Sequence, residues 1–275
     1  MKRYLTLLIF FAVLTMGLAT DGFCREIYKK EKTNRRIIRV GTELYYYKYE
    51  EPNMQQDGLI CGLNMDWSYY ISKFLMRAEG LLGGGQIDYT STVSGNMDGA
   101  DNFIFEIRGL GGYDFDITNT TVLTPFIGAG YRYLNDDSSG KITNRGALGY
   151  ERESNYLYSP IGLETDTNMG NGWFFGITAE YDIFWQGKQK SNLSAVFAGL
   201  NDVSNDQKEG YGIRGSIRLR KEMEKYSVVF EPFIRYWDIE KSEVSNVIYQ
   251  GVVIAYGWEP ENETMECGAK LKIGF

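Results

Sequence analysis

The chain has 275 residues, a formal net charge of −7 and no histidine, and it combines 21 tyrosines and 32 glycines with only 5 prolines. The acidic charge makes nucleic acid an unfavourable partner. After the N-terminus there is no apolar run of about 20 residues, which excludes a helical membrane protein. Abundant aromatic residues with slightly negative mean hydropathy are typical of a β-barrel, whose lumen is polar while a thin apolar band contacts lipid.

Residues 1–19 have the organisation of a secretory signal peptide. Lys2 and Arg3 precede an apolar stretch over residues 5–18, and small residues allow cleavage after Ala19. A single membrane anchor is the alternative, but the stretch is short and polar residues follow it. Cleavage would raise the acidic excess from seven charges to nine, because Lys2 and Arg3 are lost.

Residues 20–39 are polar and basic and show no periodicity. We interpret them as a solvated periplasmic segment, and a segment folded into the barrel as a plug is the alternative. The barrel domain is expected to cover residues 40–275.

From residue 40 onward, apolar residues recur at every second position, the period of a strand with one apolar face. Between Trp173 and Trp185 the pattern is complete, since Ile177 and Tyr181 share a face with both tryptophans. The sequence predicts an all-β fold, a transmembrane antiparallel up-and-down β-barrel with ten strands. The predicted strands are 40–49, 59–71, 75–89, 103–115, 122–134, 155–164, 173–185, 211–220, 226–237 and 265–275.

The predicted connections alternate between longer and shorter segments, which is typical of outer-membrane barrels with long external loops and short periplasmic turns. This pattern places both termini in the periplasm and gives five external loops. The last loop contains a β-prone stretch at 247–258. We expect it to extend the ninth and tenth strands, and two further strands, making twelve, are the alternative.

In the last strand, Leu271, Ile273 and Phe275 alternate with Lys270 and Lys272. This pattern resembles the C-terminal signature of bacterial outer-membrane β-barrel proteins. The resemblance implies the outer membrane of a Gram-negative bacterium, with the lipid bilayer and lipopolysaccharide as surroundings. It also implies that the assembly machinery of that membrane recognises the C-terminal strand, with Leu271, Ile273 and Phe275 as the assembly signal.

The faces opposite the apolar ones carry charges of both signs. Because unpaired charges are costly in a narrow lumen, we predict an ionic network that props and blocks the barrel. An anion-leaning channel, or narrow porin, lined by Arg214, Arg218, Arg220, Lys270 and Lys272 is the alternative. The predicted network consists of Arg77, Glu79, Glu106, Arg108, Arg132, Glu180, Asp182, Arg214, Arg218, Arg220, Glu231, Arg235, Lys270 and Lys272.

The three cysteines are not expected to form a disulfide. Cys24 lacks the small preceding residue that lipidation requires. Cys61 and Cys267 are expected near the external ends of strands two and ten, which strand one separates by about 9–10 Å, beyond the limit of about 7 Å for a bridge. A bridge would form only if the first loop folded over.

The strand count and long loops resemble the omptin family of outer-membrane proteases. Local resemblance is confined to residues 147–150 and 160–163, which read Ala-Leu-Gly-Tyr and Pro-Ile-Gly-Leu. Omptin catalysis requires a histidine, and this chain has none, so no catalytic residue is transferred. The absence of histidine also removes the usual general base and disfavours a transition-metal site.

We therefore expect a non-enzymatic protein without cofactor or metal, whose external loops serve surface binding, adhesion or a structural role. The extracellular ligand is unknown at this point. A narrow anion channel and a degenerate omptin-like hydrolase are the alternatives.

Overall fold

The computed structural model describes residues 34–275, which form ten long antiparallel strands. No helix within these residues has the length and apolar composition needed to cross a bilayer. The ten strands are β1 (Arg35–Glu51), β2 (Met54–Ile71), β3 (Phe74–Ser91), β4 (Gly95–Tyr113), β5 (Thr121–Asp137), β6 (Glu151–Gly170), β7 (Trp173–Ser191), β8 (Gly210–Glu222), β9 (Ser227–Ile239) and β10 (Asn262–Gly274).

The sheet closes on itself because β1 pairs with β10 as well as with β2. The β1–β10 register runs from Arg39 opposite Gly274 to Glu50 opposite Glu263. At the end of the chain, the Phe275 N–H donates to the Ile38 carbonyl at 2.9 Å and the Ile38 N–H donates to the Phe275 carbonyl at 3.1 Å. The predicted ten-stranded up-and-down barrel is therefore confirmed.

Side chains alternate between the two faces of every strand, as the period of two predicts. On β7, Trp173 and Trp185 are exposed at opposite ends of the outer face, while Glu180 and Asp182 are buried inside. The outer face of the barrel is apolar and bounded by aromatic residues, as a face in contact with lipid requires.

The strands are longer than the sequence pattern predicts. β1 begins at Arg35 instead of residue 40, so the last residues of the predicted periplasmic segment belong to the barrel. Residues 1–19, the predicted signal peptide, lie outside the described residues. The first external connection is only Pro52–Asn53, where a loop at 50–58 was predicted, and β4 begins at Gly95 within the predicted loop 90–102.

The reason is that the strands continue past the bilayer with polar residues on the outer face, such as Asn96 and Asp98, and an outward apolar period cannot detect such an extension. A strand of 19 residues, rising about 3.4 Å per residue and tilted by about 45°, reaches roughly 45 Å along the barrel axis. The apolar band of an outer-membrane barrel is only about 25 Å tall. The predicted alternation of loop lengths is consequently wrong for the first two external connections.

Three long loops share the end of the barrel predicted to be external: 138–150, 192–209 and 240–261. The second of these contains a 3₁₀ helix, Leu193–Ala195, and a short strand, Val203–Gln207, that pairs with the end of β7. The third contains a hairpin of Ser245–Tyr249 and Val252–Gly257 that forms its own two-stranded sheet. The stretch 247–258 therefore neither extends β9 and β10 nor adds strands to the barrel.

Cys61 and Cys267 are free thiols on the outer face. In the register of the sheet, Cys61 lies opposite Leu44 and Cys267 opposite Tyr46, so β1 separates them. The prediction that they do not form a disulfide is confirmed. Cys61 lies in the middle of β2 rather than near its external end, because β2 begins at Met54.

Candidate functional site

The interior of the barrel is filled in layers, and these layers decide what the barrel can do. Charged side chains occupy the periplasmic half, an apolar and aromatic layer lies above them, and a small polar cluster lies at the external rim. The long loops pack over this rim.

In the periplasmic layer, single cations bridge carboxylates from different strands. Lys272 contacts Asp66 at 3.1 Å and Glu231 at 3.8 Å, and Arg39 adds a second contact to Asp66 at 2.9 Å. Lys270 contacts Glu231 at 3.3 Å. These contacts join β1, β2, β9 and β10 across the barrel seam.

The opposite wall of the same layer is centred on Glu164 of β6. Arg77 contacts Glu164 at 2.8 Å and Arg218 contacts it at 3.2 Å. Arg220 contacts Asp166 at 2.5 Å. Because Arg77 reaches from β3 and Arg218 from β8, the carboxylate of Glu164 ties strands on different sides of the barrel together.

The central layer contains the most deeply buried charges. Glu266 accepts hydrogen bonds from Arg132 and from Arg235, the latter at 2.8 Å, and Arg235 also contacts Glu43 at 2.6 Å. Both Arg132 and Glu266 have no exposed surface. Two guanidinium groups thus share one carboxylate. Without Glu266, the buried Arg132 would keep only the more distant carboxylate of Glu106, at 3.9 Å.

A second group in this layer is built on Arg214. Its guanidinium contacts Glu106 and Asp182, each at 2.6 Å. Arg108 contacts Glu79 at 2.6 Å and also pairs with Glu180. These contacts complete a network that runs from β3 through β7 and β8.

The structure places all fourteen residues of the predicted network in the interior, and each takes part in at least one ion pair. They are Arg77, Glu79, Glu106, Arg108, Arg132, Glu180, Asp182, Arg214, Arg218, Arg220, Glu231, Arg235, Lys270 and Lys272. The five basic residues of the postulated anion path are among them, so none of these cations stands unpaired along the lumen.

Sequence reasoning missed several members of this network. The predicted sixth strand ends at Glu164, and Asp166 lies in the predicted loop that follows it. Because Leu163 faces outward, the period of two turns Glu164 inward. Arg39 and Glu43 were missed because three consecutive tyrosines follow them, which hides the facing of β1. Leu44 is exposed on the outer face, and recognising that would have identified the facing of β1.

The sequence pattern also did not predict the apolar layer that fills the external half of the lumen. Ile60, Ile87 and Ile104 have no exposed surface there, and Tyr158 and Trp237 are each only 1% exposed. The rings of Tyr158 and Trp237 meet edge to face, with centroids 5.0 Å apart. These side chains belong to one buried hydrophobic cluster that occupies the interior at this level.

The aromatic layer and the ionic layers are joined by Tyr158. Its hydroxyl donates to Glu106 at 2.6 Å, and the guanidinium of Arg214 lies over the rings of both Tyr158 and Trp237. Below them a cavity of about 110 Å³ remains among the charged residues. A polar cavity of this size has room for several water molecules.

At the external rim, Arg152 of β6 holds two carboxylates. It contacts Glu51 at 2.7 Å and also pairs with Glu259, which belongs to the last loop. The Tyr49 hydroxyl donates to Glu51 at 2.8 Å and to Glu259 at 3.2 Å. Burial raises the pKa of Glu259 to about 7, aided by the neighbouring Glu51 and opposed by the Arg152 cation. This cluster fastens the base of the last loop to the barrel wall.

The loop 138–150 is fastened in a different way, to the start of β4. The Asn144 N–H donates to the Asn96 carbonyl at 2.9 Å, and the Lys141 ammonium donates to the Gly99 carbonyl at 2.7 Å. Among residues 34–275 no group of three or more acidic or cysteine side chains is arranged to hold a metal ion.

We predict that Glu266→Gln lowers the free energy of unfolding by about 3 kcal/mol, because Arg132 and Arg235 lose their shared charge in a buried site. Denaturant titration of the protein in lipid vesicles measures this. The control is Lys48→Gln, whose 2.8 Å pair with Glu50 is exposed. Its effect should stay below about 1 kcal/mol. A change of similar size in both variants would show that the central layer does not stabilise the barrel.

The protonation of Glu259 predicts a pH dependence of stability. Since its folded pKa is raised, its contribution to stability is complete below about pH 4.5 and is lost as the pH rises through about 7. The loss amounts to at most about 3 kcal/mol. Glu259→Gln should therefore flatten unfolding free energy between pH 5 and 8, whereas Glu261→Gln, on the exposed surface, should not. An unchanged profile in Glu259→Gln would contradict this assignment.

Comparison with known proteins agrees with this architecture. The model of the autotransporter β-domain family matches residues 54–216, more than half of the chain. A search of curated protein sequences found no match.

Among solved structures, the outer-membrane protease OmpT of Escherichia coli matches with a TM-score of 0.55 and 12% identity, over 90% of this chain and 98% of that chain. At this identity the likeness concerns the fold alone. The translocator domain of the autotransporter NalP from Neisseria meningitidis has a TM-score of 0.45 and 11% identity, over 98% of this chain and 94% of that chain. The family match extends from the second to the seventh barrel strand and into the eighth, and the chain belongs to the autotransporter β-domain family of outer-membrane barrels.

Proposed function

We propose that this chain is a non-enzymatic outer-membrane barrel with a closed lumen, and that its external loops bind a partner at the cell surface. The observation that carries this proposal is the apolar layer around Ile60, Ile104, Tyr158 and Trp237, which blocks the lumen above paired charges. With the interior filled, the surface available to an extracellular partner is that of the external rim and loops.

The loops have the properties of a binding platform. They are fastened to the barrel by the contacts of Arg152, Asn144 and Lys141 described above. They nevertheless leave large apolar side chains exposed, including Val244 and Trp258, which are 58% and 50% exposed. Exposed apolar groups on an ordered loop are typical of an interaction surface.

The proposal extends to the cellular setting. It includes cleavage of the signal peptide, contact of the apolar face with lipid and lipopolysaccharide, and recognition of the last strand by the assembly machinery. Ile273 and Phe275 are 43% and 68% exposed on the outer face, so both remain accessible after the barrel has closed.

Catalysis is not part of the proposal. The chain has no histidine, and the carboxylates of the rim cluster are occupied by Arg152 and Tyr49. An omptin-like hydrolase is therefore disfavoured, and a fluorogenic peptide assay at the outer face would detect it.

The refolded chain is predicted to be silent in a planar bilayer, because the apolar layer interrupts any aqueous path. The measurement is single-channel conductance, after heat-modifiable migration on a gel has shown that the barrel is folded. Steady anion-selective openings that disappear on neutralising Arg214, Arg218 and Arg220 would instead establish a channel.

Surface binding is predicted to depend on the last loop. Fluorescent vesicles carrying the protein would be applied to immobilised extracellular-matrix proteins, mucin and cultured cells. Replacing residues 244–258 with a glycine–serine linker of equal length should reduce retention by about tenfold, since about 1.4 kcal/mol of contact suffices for that change. The matched control replaces residues 140–148 of the loop 138–150, which is also fastened to the barrel.

Retention that is unaffected by the replacement of any external loop would remove the binding role from the loops. In that case a structural role of the closed barrel would be the better proposal.

A further inference from the structure

The hairpin in the last loop is a separate small sheet with one covered edge and one open edge. Gln250 and Gly251 both have positive φ, 49° and 85°, as a tight hairpin turn requires. The two strands, Ser245–Tyr249 and Val252–Gly257, pair only with each other in the strand ladders. An isolated two-stranded hairpin is marginally stable, so its contacts with other segments matter.

Residues 199–201 of the neighbouring loop cover the first edge. The Asn201 N–H donates to the Ile248 carbonyl at 3.0 Å, and the Asn201 side chain accepts from the Ile248 N–H at 2.5 Å. The Gln250 N–H donates to the Gly199 carbonyl at 2.9 Å. The hairpin is thus held in place through the strand Ser245–Tyr249.

The second edge, Val252–Gly257, has no strand beside it among residues 34–275. Its side chains are exposed: Val252 by 64%, Ile254 by 57% and Tyr256 by 68%. Natural proteins usually protect such an edge with a charge, a proline or a bulge. This strand has no charge and no proline, although a bulge at Ile254 shifts its register with the first strand. No other strand occupies its outward edge among the described residues, which leaves that edge open to another chain.

An acidic cleft lies at one end of this open edge. The Asn205 amide donates to the Glu243 carbonyl at 3.1 Å and to the Gly257 carbonyl at 3.2 Å, which joins the cleft to the last residue of the strand. The cleft has a volume of about 290 Å³, and four carboxylates outnumber two lysines in its lining. The lining residues are Asp206, Lys208, Glu209, Glu240, Lys241, Ser242 and Glu243.

We propose that the open edge Val252–Gly257 binds an extended polypeptide as an additional β-strand, and that this partner carries basic residues beside an apolar stretch. Backbone hydrogen bonds along the edge supply affinity in this mode of recognition, and flanking pockets supply specificity. The exposed apolar face of the strand suits β-branched residues of the partner, and the acidic cleft suits a lysine or arginine next to them. The inference rests on the proposed binding role of the loops and assigns it to one strand.

The probe for this proposal is a fluorescein-labelled peptide of four threonine–valine repeats followed by two lysines. Its binding to the full mature chain in lipid nanodiscs would be measured by fluorescence anisotropy. Ala255→Pro and Tyr256→Pro should each weaken binding by about tenfold or more, because these residues lie in the regular part of the ladder, where adjacent residues point their N–H groups to opposite edges. Val93→Pro, at an exposed apolar position in the turn between β3 and β4, is the matched control and should bind as the native chain does.

A second measurement does not depend on the folding of any variant. A peptide methylated at alternate backbone nitrogens should fail to bind the native chain. In a separate test of the cleft, Glu240→Gln with Glu209→Gln should weaken binding of the unmodified peptide. Equal binding of the methylated peptide would overturn the proposal. Dimerisation of the native chain through this edge, if excess peptide did not inhibit it, would also overturn the proposal. The occupant of the edge would then be a second copy of the chain.

The two proposals fail in different ways. If the peptide does not bind, while surface retention still depends on residues 244–258, strand addition is wrong and the loop remains the binding element. If the peptide binds, the variants weaken that binding as predicted and surface retention is independent of every loop, the strand-addition site is supported and the proposed function of the loops is wrong.

Discussion

The constraint on which this structure depends is that a charge buried in a narrow lumen must meet an opposite charge. Desolvating an ion costs several kcal/mol, and only a close partner with good geometry offsets that cost. Here Glu266 meets Arg132 and Arg235, and Glu164 meets Arg77 and Arg218. Since the partners come from strands far apart in the chain, satisfying these charges also fixes which strands face one another across the barrel.

Closure of the barrel makes this network possible. The register between β1 and β10 brings Glu43 and Glu266 to adjacent levels of the same wall, where Arg235 contacts both. Tyr158 then connects the charges to the aromatic layer through its hydroxyl on Glu106. The side chains that pair the charges and pack the rings therefore stabilise the barrel and also fill its interior.

The functional consequence is a division along the barrel axis. The membrane-embedded part is filled and apolar outside, and the loops above it carry the exposed apolar groups. The rim cluster of Arg152, Glu51 and Glu259 joins these two parts, and the raised pKa of Glu259 makes that joint sensitive to mild changes in pH. A partner bound to the hairpin would be held by the last loop. This loop is attached to the barrel at the rim cluster, and its hairpin is attached to the neighbouring loop through Asn201.

The sequence by itself determined the barrel class, the count of ten strands, the outward face of most strands and the charged character of the lumen. It did so because a strand in a bilayer must alternate apolar and polar residues, and because the pattern continues to Phe275. It did not determine the extent of the strands, since beyond the bilayer neither face needs to be apolar. It also did not reveal the apolar layer, because Ile60, Ile104 and Trp237 read as ordinary strand residues until closure turns them toward one another. Which cation meets which carboxylate, and which edge of the hairpin remains open, depend on contacts between distant segments, which only the tertiary structure decides.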